Sequence, residues 1–316
     1  MAVTGAVYSY NQKTIKEDIT DIIYNIDPFD TPALSGMKTV PLNNTLFSWN
    51  EDVLAAPAAN ASEEGADGDD GGHQVVDLIS NNTQIFKKLV KVTGTSESVD
   101  FYGRKSEKAY QLAKKSKELK RDIEFALVGR PGGDVQTPTA HSTGVGGLTG
   151  SVQYFIDASV TKGNHAIPSA YTVGSAFEAD ILATHQALFE AGSDATQLQI
   201  APGTSINVAA LTRASARTRD YRNEKTLTNV VELYVSPFGE LHVVINRWLF
   251  AADMLFMDFS YLNMGYLRNP RKEELAKVGD SSRCQVIAEG GVKVLNKKAT
   301  GLLAGVTFNA SYDPTL

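Results

Sequence analysis

The chain has 316 residues with a formal net charge of −6, 42% hydrophobic and 21% charged residues, and a single cysteine. That balance suits a folded protein of about two domains and excludes disordered, collagen-like and coiled-coil classes. There is no run of about eighteen apolar residues, the length a membrane-spanning helix needs. Cys284 stands alone, which excludes an intrachain disulfide framework and a multi-cysteine zinc site. Met1–Tyr10 shows no basic stretch followed by an apolar core, so no secretory signal is expected and a reducing cytoplasm is the expected compartment. A net-acidic chain does not coat DNA uniformly, although a local basic face can still touch it.

Charge is spread unevenly along the chain. Between Lys38 and Lys87 there is no Lys or Arg, while Glu51, Asp52, Glu63, Glu64, Asp67, Asp69, Asp70 and Asp77 fall in the same stretch. Residues 55–72 are rich in Ala, Gly and Asp without apolar periodicity, which predicts a long exposed excursion. The strand-like runs Thr45–Asn50 and Gln84–Val92 flank it, so a two-stranded acidic arm is expected. A hairpin alone is at best marginally stable in water, so this arm should lie on something else.

Residues 97–128 read as the opposite. Between Ser98 and Val128 there is no Pro and Gly103 is the only Gly, so a helix of about eight turns is predicted. Tyr102, Ala109, Leu112, Leu119, Ile123 and Ala126 recur on one face. Between Arg104 and Arg121 eight basic residues face only Glu107 and Glu118. Such a helix either presents a solvated face or meets nucleic acid or an acidic partner. Gly129 and Pro131 should stop it, and residues 130–150 should form a glycine-rich loop. A second helix is predicted over 170–191, with Val173, Phe177, Ile181, Thr184 and Leu188 inward and Gly192 as its stop. Leu198–Ile200 reads as a buried strand. Val230–Val235 and Leu241–Ile245 form a hairpin around Ser236-Pro237-Phe238-Gly239. Short strands follow at Val286–Ala288, Val292–Leu295 and Leu302–Val306. Without a regular βαβ alternation or a fixed repeat, the class is α+β.

A search for convergent chemistry finds little. The chain has no G-x-S-x-G elbow and no phosphate-cradling G-x-x-x-x-G-K-[ST], and Gly144-Val145-Gly146-Gly147 lacks dinucleotide-loop spacing. His73, His141, His165, His185 and His242 make no helix-face pair. Cys284 in a strand reads as a small buried hydrophobe. Asp67 and Asp69 imitate the first positions of a calcium loop, but Leu78 stands where its bidentate Glu is required. No catalytic, cofactor or metal residues are assigned, and a chain of this kind is expected to build or bind.

Three segments then carry a resemblance. NIDPFDTPALSGM (25–37) resembles the N-terminal signature of a group of tailed-bacteriophage major capsid proteins. WNEDVLAAPAANASEEGADG (49–68) resembles the lead into that group's extended loop, and YLRNPRKEELAKVGDSSRCQVIAEGGVKVLNKKATGLLAGV (266–306) its C-terminal block. They occur in the expected order around a long helix, with the weakest similarity over 130–225. The resemblance implies the Hong Kong 97-type capsid fold: an N-terminal arm (1–48), an extended loop (49–92), a peripheral domain with a long spine helix (93–150 and 246–316) and an axial domain (151–245). It implies a structural protein rather than an enzyme, without cofactors, whose pentamers and hexamers close into an icosahedral head around double-stranded DNA.

The expected partners are further copies, packaged DNA in weak contact, and portal, separate scaffold and decoration proteins; no membrane is expected. The expected location is the virion capsid, assembled in the bacterial host cytoplasm. Candidate contacts between subunits are Glu63, Glu64, Asp67, Asp69 and Asp70 of the acidic loop, set against Lys108 and Lys115 of the spine helix or against Arg268, Arg271 and Lys272. Lys87 or Lys88 could cross-link to an Asn, but no motif singles out a pair. A nanocompartment shell of the same fold, an enzyme with a dispersed active site and a nucleic-acid binder using the spine helix are the alternatives.

Overall fold

The computed structural model describes residues 28, 30–57, 59, 61, 63–65, 75–162, 175–206, 208 and 232–305. The readings that rest on 1–27, on Asp67, Asp69 and Asp70, and on Val173 fall outside these residues. In chain order the described elements begin with α1 (Pro32–Gly36), β1 (Lys38–Pro41), β2 (Leu46–Glu51), β3 (Asp77–Asn82) and β4 (Gln84–Thr93). There follow α2 (Gly94–Ser98), α3 (Glu107–Val128), β5 (Thr161–Lys162), α4 (Ser175–Glu190) and β6 (Gln197–Ile200). The chain continues through β7 (Leu233–Ser236), β8 (Gly239–Ile245), β9 (Met254–Met257), β10 (Leu262–Leu275), β11 (Ser281–Val294) and β12 (Gly301–Leu303).

Two cores organise these elements. One sheet has the order β1-β10-β11-β4, and the apolar stripe of α3 (Leu119, Ile123, Ala126, Leu127) belongs to its core. The other has the order β5-β12-β9-β6-β8-β7 and shares a core with Ile181 and Leu188 of α4. Strand alternation joins them: Leu255 and Met257 of β9 enter the first core, Met254 and Phe256 the second. All four are 0% exposed, and each contributes roughly 1.5–3 kcal/mol by its burial. The mixture of sheets and helices is α+β.

The acidic arm differs from its sequence reading. β2 pairs antiparallel with β3, from Leu46↔Asn82 to Glu51↔Asp77, whereas β4 leaves the ribbon and pairs with β11. Thr83 makes the break; it is fully buried and donates its hydroxyl to Glu289 at 3.0 Å. Phe47 and Trp49 alternate inward along β2, and the Trp49 ring lies 5.6 Å from Phe155. Asn81 pins the ribbon to the four-stranded sheet, donating to the Val292 carbonyl at 2.7 Å and accepting from the Gly150 amide at 2.8 Å.

The long helix is also shorter than its periodicity suggests. Gly103 has φ +74°, and Ser106 caps a new start by accepting from the Ala109 amide, so α3 begins at Glu107 and the preceding turn α2 is separate. Tyr102 therefore lies outside α3 and is 61% exposed. The C-terminal third holds two long strands where short ones were expected. β11 runs unbroken through Gly290 and Gly291. A Cβ on Gly290 would collide with the Gly265 carbonyl, and one on Gly291 would meet the Thr149 hydroxyl at 2.7 Å. These glycines allow close approach rather than ending a strand. β10 absorbs Pro270 at a register shift between Arg268 and Arg271, where no ladder donor is needed.

Candidate assembly interface

The residues that could join one copy to another lie on two surfaces at opposite ends of β11. The first is the far end of the β2–β3 ribbon. Its last pair, Glu51↔Asp77, is held near the end of β11 by Lys297, whose amide donates to Glu51 at 3.1 Å. Beyond that pair Val53, Leu54, Val75 and Val76 are 48%, 93%, 90% and 47% exposed. Asp52 and Asp77 flank this apolar collar, and Glu63 and Glu64 are exposed further along the excursion.

The second surface is where the N-terminal half of α3 faces the outer half of β10. Glu274 brings Lys108 and Lys272 together, at 3.5 Å and 3.0 Å from the same carboxylate oxygen. The Lys272 hydrogen bond and the nearby Lys108 charge hold the Glu274 carboxyl below the ordinary glutamate range. Arg271 pairs with Glu273 at 2.6 Å, and Gln285 also donates to that carboxylate, holding it low. Lys115 pairs with Glu118 one turn away at 2.7 Å. Each of these is a solvent-screened surface pair of little net worth, so a partner's carboxylates can exchange with the chain's own. Arg268 is different: its partner at 2.7 Å is Glu289, only 5% exposed, which also receives the Thr83 hydroxyl.

Between α3 and β10 lies an open groove of about 420 Å³. Leu112, Tyr266 and Pro270 are among its apolar lining, with Lys120, Arg271 and Lys272 beside them. The sequence reading did not single out Lys120, nor three buried or bridging carboxylates. Asp122 binds Lys88 across to β4 at 2.5 Å. Asp253 meets Arg130 at 2.7 Å, and burial pushes its carboxyl up to about 6. Glu124 accepts from the Ala33 and Leu34 amides at 2.9 and 2.7 Å. Burial raises its pKa against those donors.

Of the residues weighed for catalysis, His185 and Cys284 are buried, His141 and His242 are exposed, and His73 and His165 lie outside the described residues. His185 is 2% exposed, its Nδ1 is 2.7 Å from the Ser236 hydroxyl, and burial lowers the pKa of its imidazole. The Ser236 oxygen also accepts from the Phe238 amide, so the contact closes the β7–β8 turn. Cys284 is 0% exposed within β11. Among the described residues, no group of three or more His, Cys, Asp or Glu side chains converges as a metal site would require. No described helix is long and apolar enough to cross a membrane.

Residues 2–307 match the SU10 major capsid protein family. The chain belongs to that family. It is 32% identical to the major capsid protein of Escherichia phage Phieco32, over 96% of this chain and 97% of that protein. The fold matches a capsid chain of the native GTA particle with a TM-score of 0.65, at 15% identity over 97% of this chain and 100% of the other. It matches a Gordonia phage Cozz chain with a TM-score of 0.59, at 13% identity over 96% of each. The fold is the Hong Kong 97 type, and the protein is a structural component of a phage capsid shell, located in the virion. The nanocompartment alternative shares this fold, and family membership decides for the phage head.

Proposed function

We propose that copies of this chain join in fives and sixes and close into an icosahedral head around double-stranded DNA, in the cytoplasm of the bacterial host. The division into N-terminal arm (1–48), extended loop (49–92), peripheral domain (93–150 and 246–316) and axial domain (151–245) belongs to the same proposal. One observation carries the contact scheme: the acidic arm ends in exposed apolar side chains that its own chain leaves in water. Four such residues together favour burial against a partner.

The acidic loop, with Glu63, Glu64, Asp67, Asp69 and Asp70, lies over the basic surface of a neighbouring copy, which carries Lys108, Lys115, Arg268, Arg271 and Lys272. Single exposed pairs contribute little, but repetition over a whole shell makes assembly sensitive to salt. A net charge of −6 per copy leaves the packaged DNA loosely held, which suits its later release. Portal, scaffold and decoration proteins complete the particle. Changing Glu63, Glu64, Asp67, Asp69 and Asp70 together to Ser tests the scheme. The variant should fold with an unchanged circular-dichroism melt yet lose shells in sedimentation; normal shells would refute it.

A further inference from the structure

We propose that the exposed lysines of α3, Lys114, Lys117 and Lys120, meet the packaged DNA through its phosphates, without regard to base sequence. The inference rests on the proposed enclosure of double-stranded DNA and adds the side chains that touch it.

The helix carries two sets of cations. Lys108 and Lys115 are half-buried and engaged, with Glu274 and Glu118. Lys114, Lys117 and Lys120 are exposed and follow one another at three-residue spacing, as neighbours on a helix surface do. Every acid of α3 is committed elsewhere. Glu107 pairs with Arg104, Glu118 with Lys115 at 2.7 Å and Asp122 with Lys88 at 2.5 Å. Glu124 is 0% exposed and holds the Ala33, Leu34 and Asn246 donors. The three lysines therefore form a band of positive charge on a chain whose net charge is −6.

The chemistry of this band suits a polyanion rather than a protein. The other exposed positions between Ala113 and Lys120 are Ala113 and Ser116, so the band holds no large apolar anchor of the kind protein contacts use. The Ser116 hydroxyl turns back on the Leu112 carbonyl at 2.9 Å, which leaves the surface between the lysines low. The far face of the four-stranded sheet is different. β4 turns Phe86 and Val90 toward α3, and Ile85, Lys87, Leu89 and Lys91 away from it. Ile85 and Leu89 are 43% and 50% exposed, a mixture of cations and apolar side chains that fits protein. From Lys114 to Lys120 the helix rises about 9 Å, over which one DNA strand presents about two to three phosphates. Lysine ammonium groups meet phosphates as point charges and read no base.

The test measures binding of the unassembled full-length chain to a short random-sequence DNA duplex across a range of salt. Each phosphate contact contributes about −0.9 to the slope of log affinity against log salt. Lys114→Gln, Lys117→Gln and Lys120→Gln together should therefore flatten that slope by about 2.7, with an unchanged circular-dichroism melt. Lys87→Gln with Lys91→Gln should leave the slope as it was. A slope unmoved by the triple substitution would overturn the proposal; should that variant also lose its shells, the band is a contact between copies. Equal flattening by the β4 pair would overturn it too, since the effect would then be one of overall charge. If the triple variant melts lower, the three single substitutions decide, each flattening the slope by about 0.9. Heads from infected cells that protect no DNA from nuclease would instead overturn the enclosure of DNA, whatever the slope.

Discussion

Glu124 in α3 accepts a 2.8 Å hydrogen bond from the Asn246 amide at the end of β8, although the two residues are 122 positions apart. Asn246 uses its other amide hydrogen on Gln199 of β6 at 3.0 Å. The same carboxylate holds the Ala33 and Leu34 amides at the start of α1. One buried acid thus ties the long helix to the segment leading into β1 and to the six-stranded sheet. Glu124→Gln replaces one acceptor oxygen by a donor that meets another donor. The expected cost is about 3 kcal/mol, read as a lowered melting temperature. An unchanged melting temperature would contradict the junction.

Arg130 and Asp253 give a pH dependence with a definite sign. Burial lifts the Asp253 carboxyl from 3.8 to about 6, so between those values the folded chain holds a proton that the unfolded chain has released. Its contribution favours folding below that window and is lost as pH rises through about 6, on the order of 3 kcal/mol in all. Asp253→Asn should remove this slope. Melts of both chains at pH 4.5 and 7 provide the check.

Gly291→Ala tests the close approach of the arm to the four-stranded sheet. The new methyl would meet the Thr149 hydroxyl at 2.7 Å, the Asn82 carbonyl at 2.9 Å and the Phe47 ring at 3.0 Å. Overpacking of this kind costs about 1–3 kcal/mol. It should loosen β2 and β3 first, and amide hydrogen exchange there should rise more than in β6 or β9.

Arg268 and Lys115 should separate in a paired comparison. Arg268→Ala leaves Glu289, 5% exposed, without its cation and should lower the melting temperature. Lys115→Ala removes a surface pair worth less than about 1 kcal/mol and should leave the melting temperature unmoved. If the two variants melt alike, Arg268 is a surface cation like Lys115.

Local signals were legible and non-local ones were not. The β7–β8 hairpin around Pro237-Phe238, the strand at Leu198–Ile200 and the helix stop at Gly192 each follow from residues adjacent in sequence. The false start of α3 has a local cause too: Tyr102 fits the heptad spacing, but Gly103 and Ser106 favour a break and a cap. β10 was hidden because Pro270 and a run of charges resemble a loop, and the tolerance comes from bulges set by β11. β3 falls between the excursion expected at 55–72 and the strand expected at Gln84–Val92, and its partner β2 lies across a long acidic insertion. The cations of the candidate interface were visible as charge, whereas their partners, such as Glu274 for Lys108, lie 166 residues away. The groove needs both α3 and β10 and has no signature in either alone.

The central claim is that this chain builds a closed shell, and electron microscopy with sedimentation of the purified full-length protein, expressed alone, addresses it directly. The account expects rings of five or six copies, tubes or closed icosahedral shells, with their yield falling as salt rises. A chain that stays monomeric at every protein and salt concentration would contradict it.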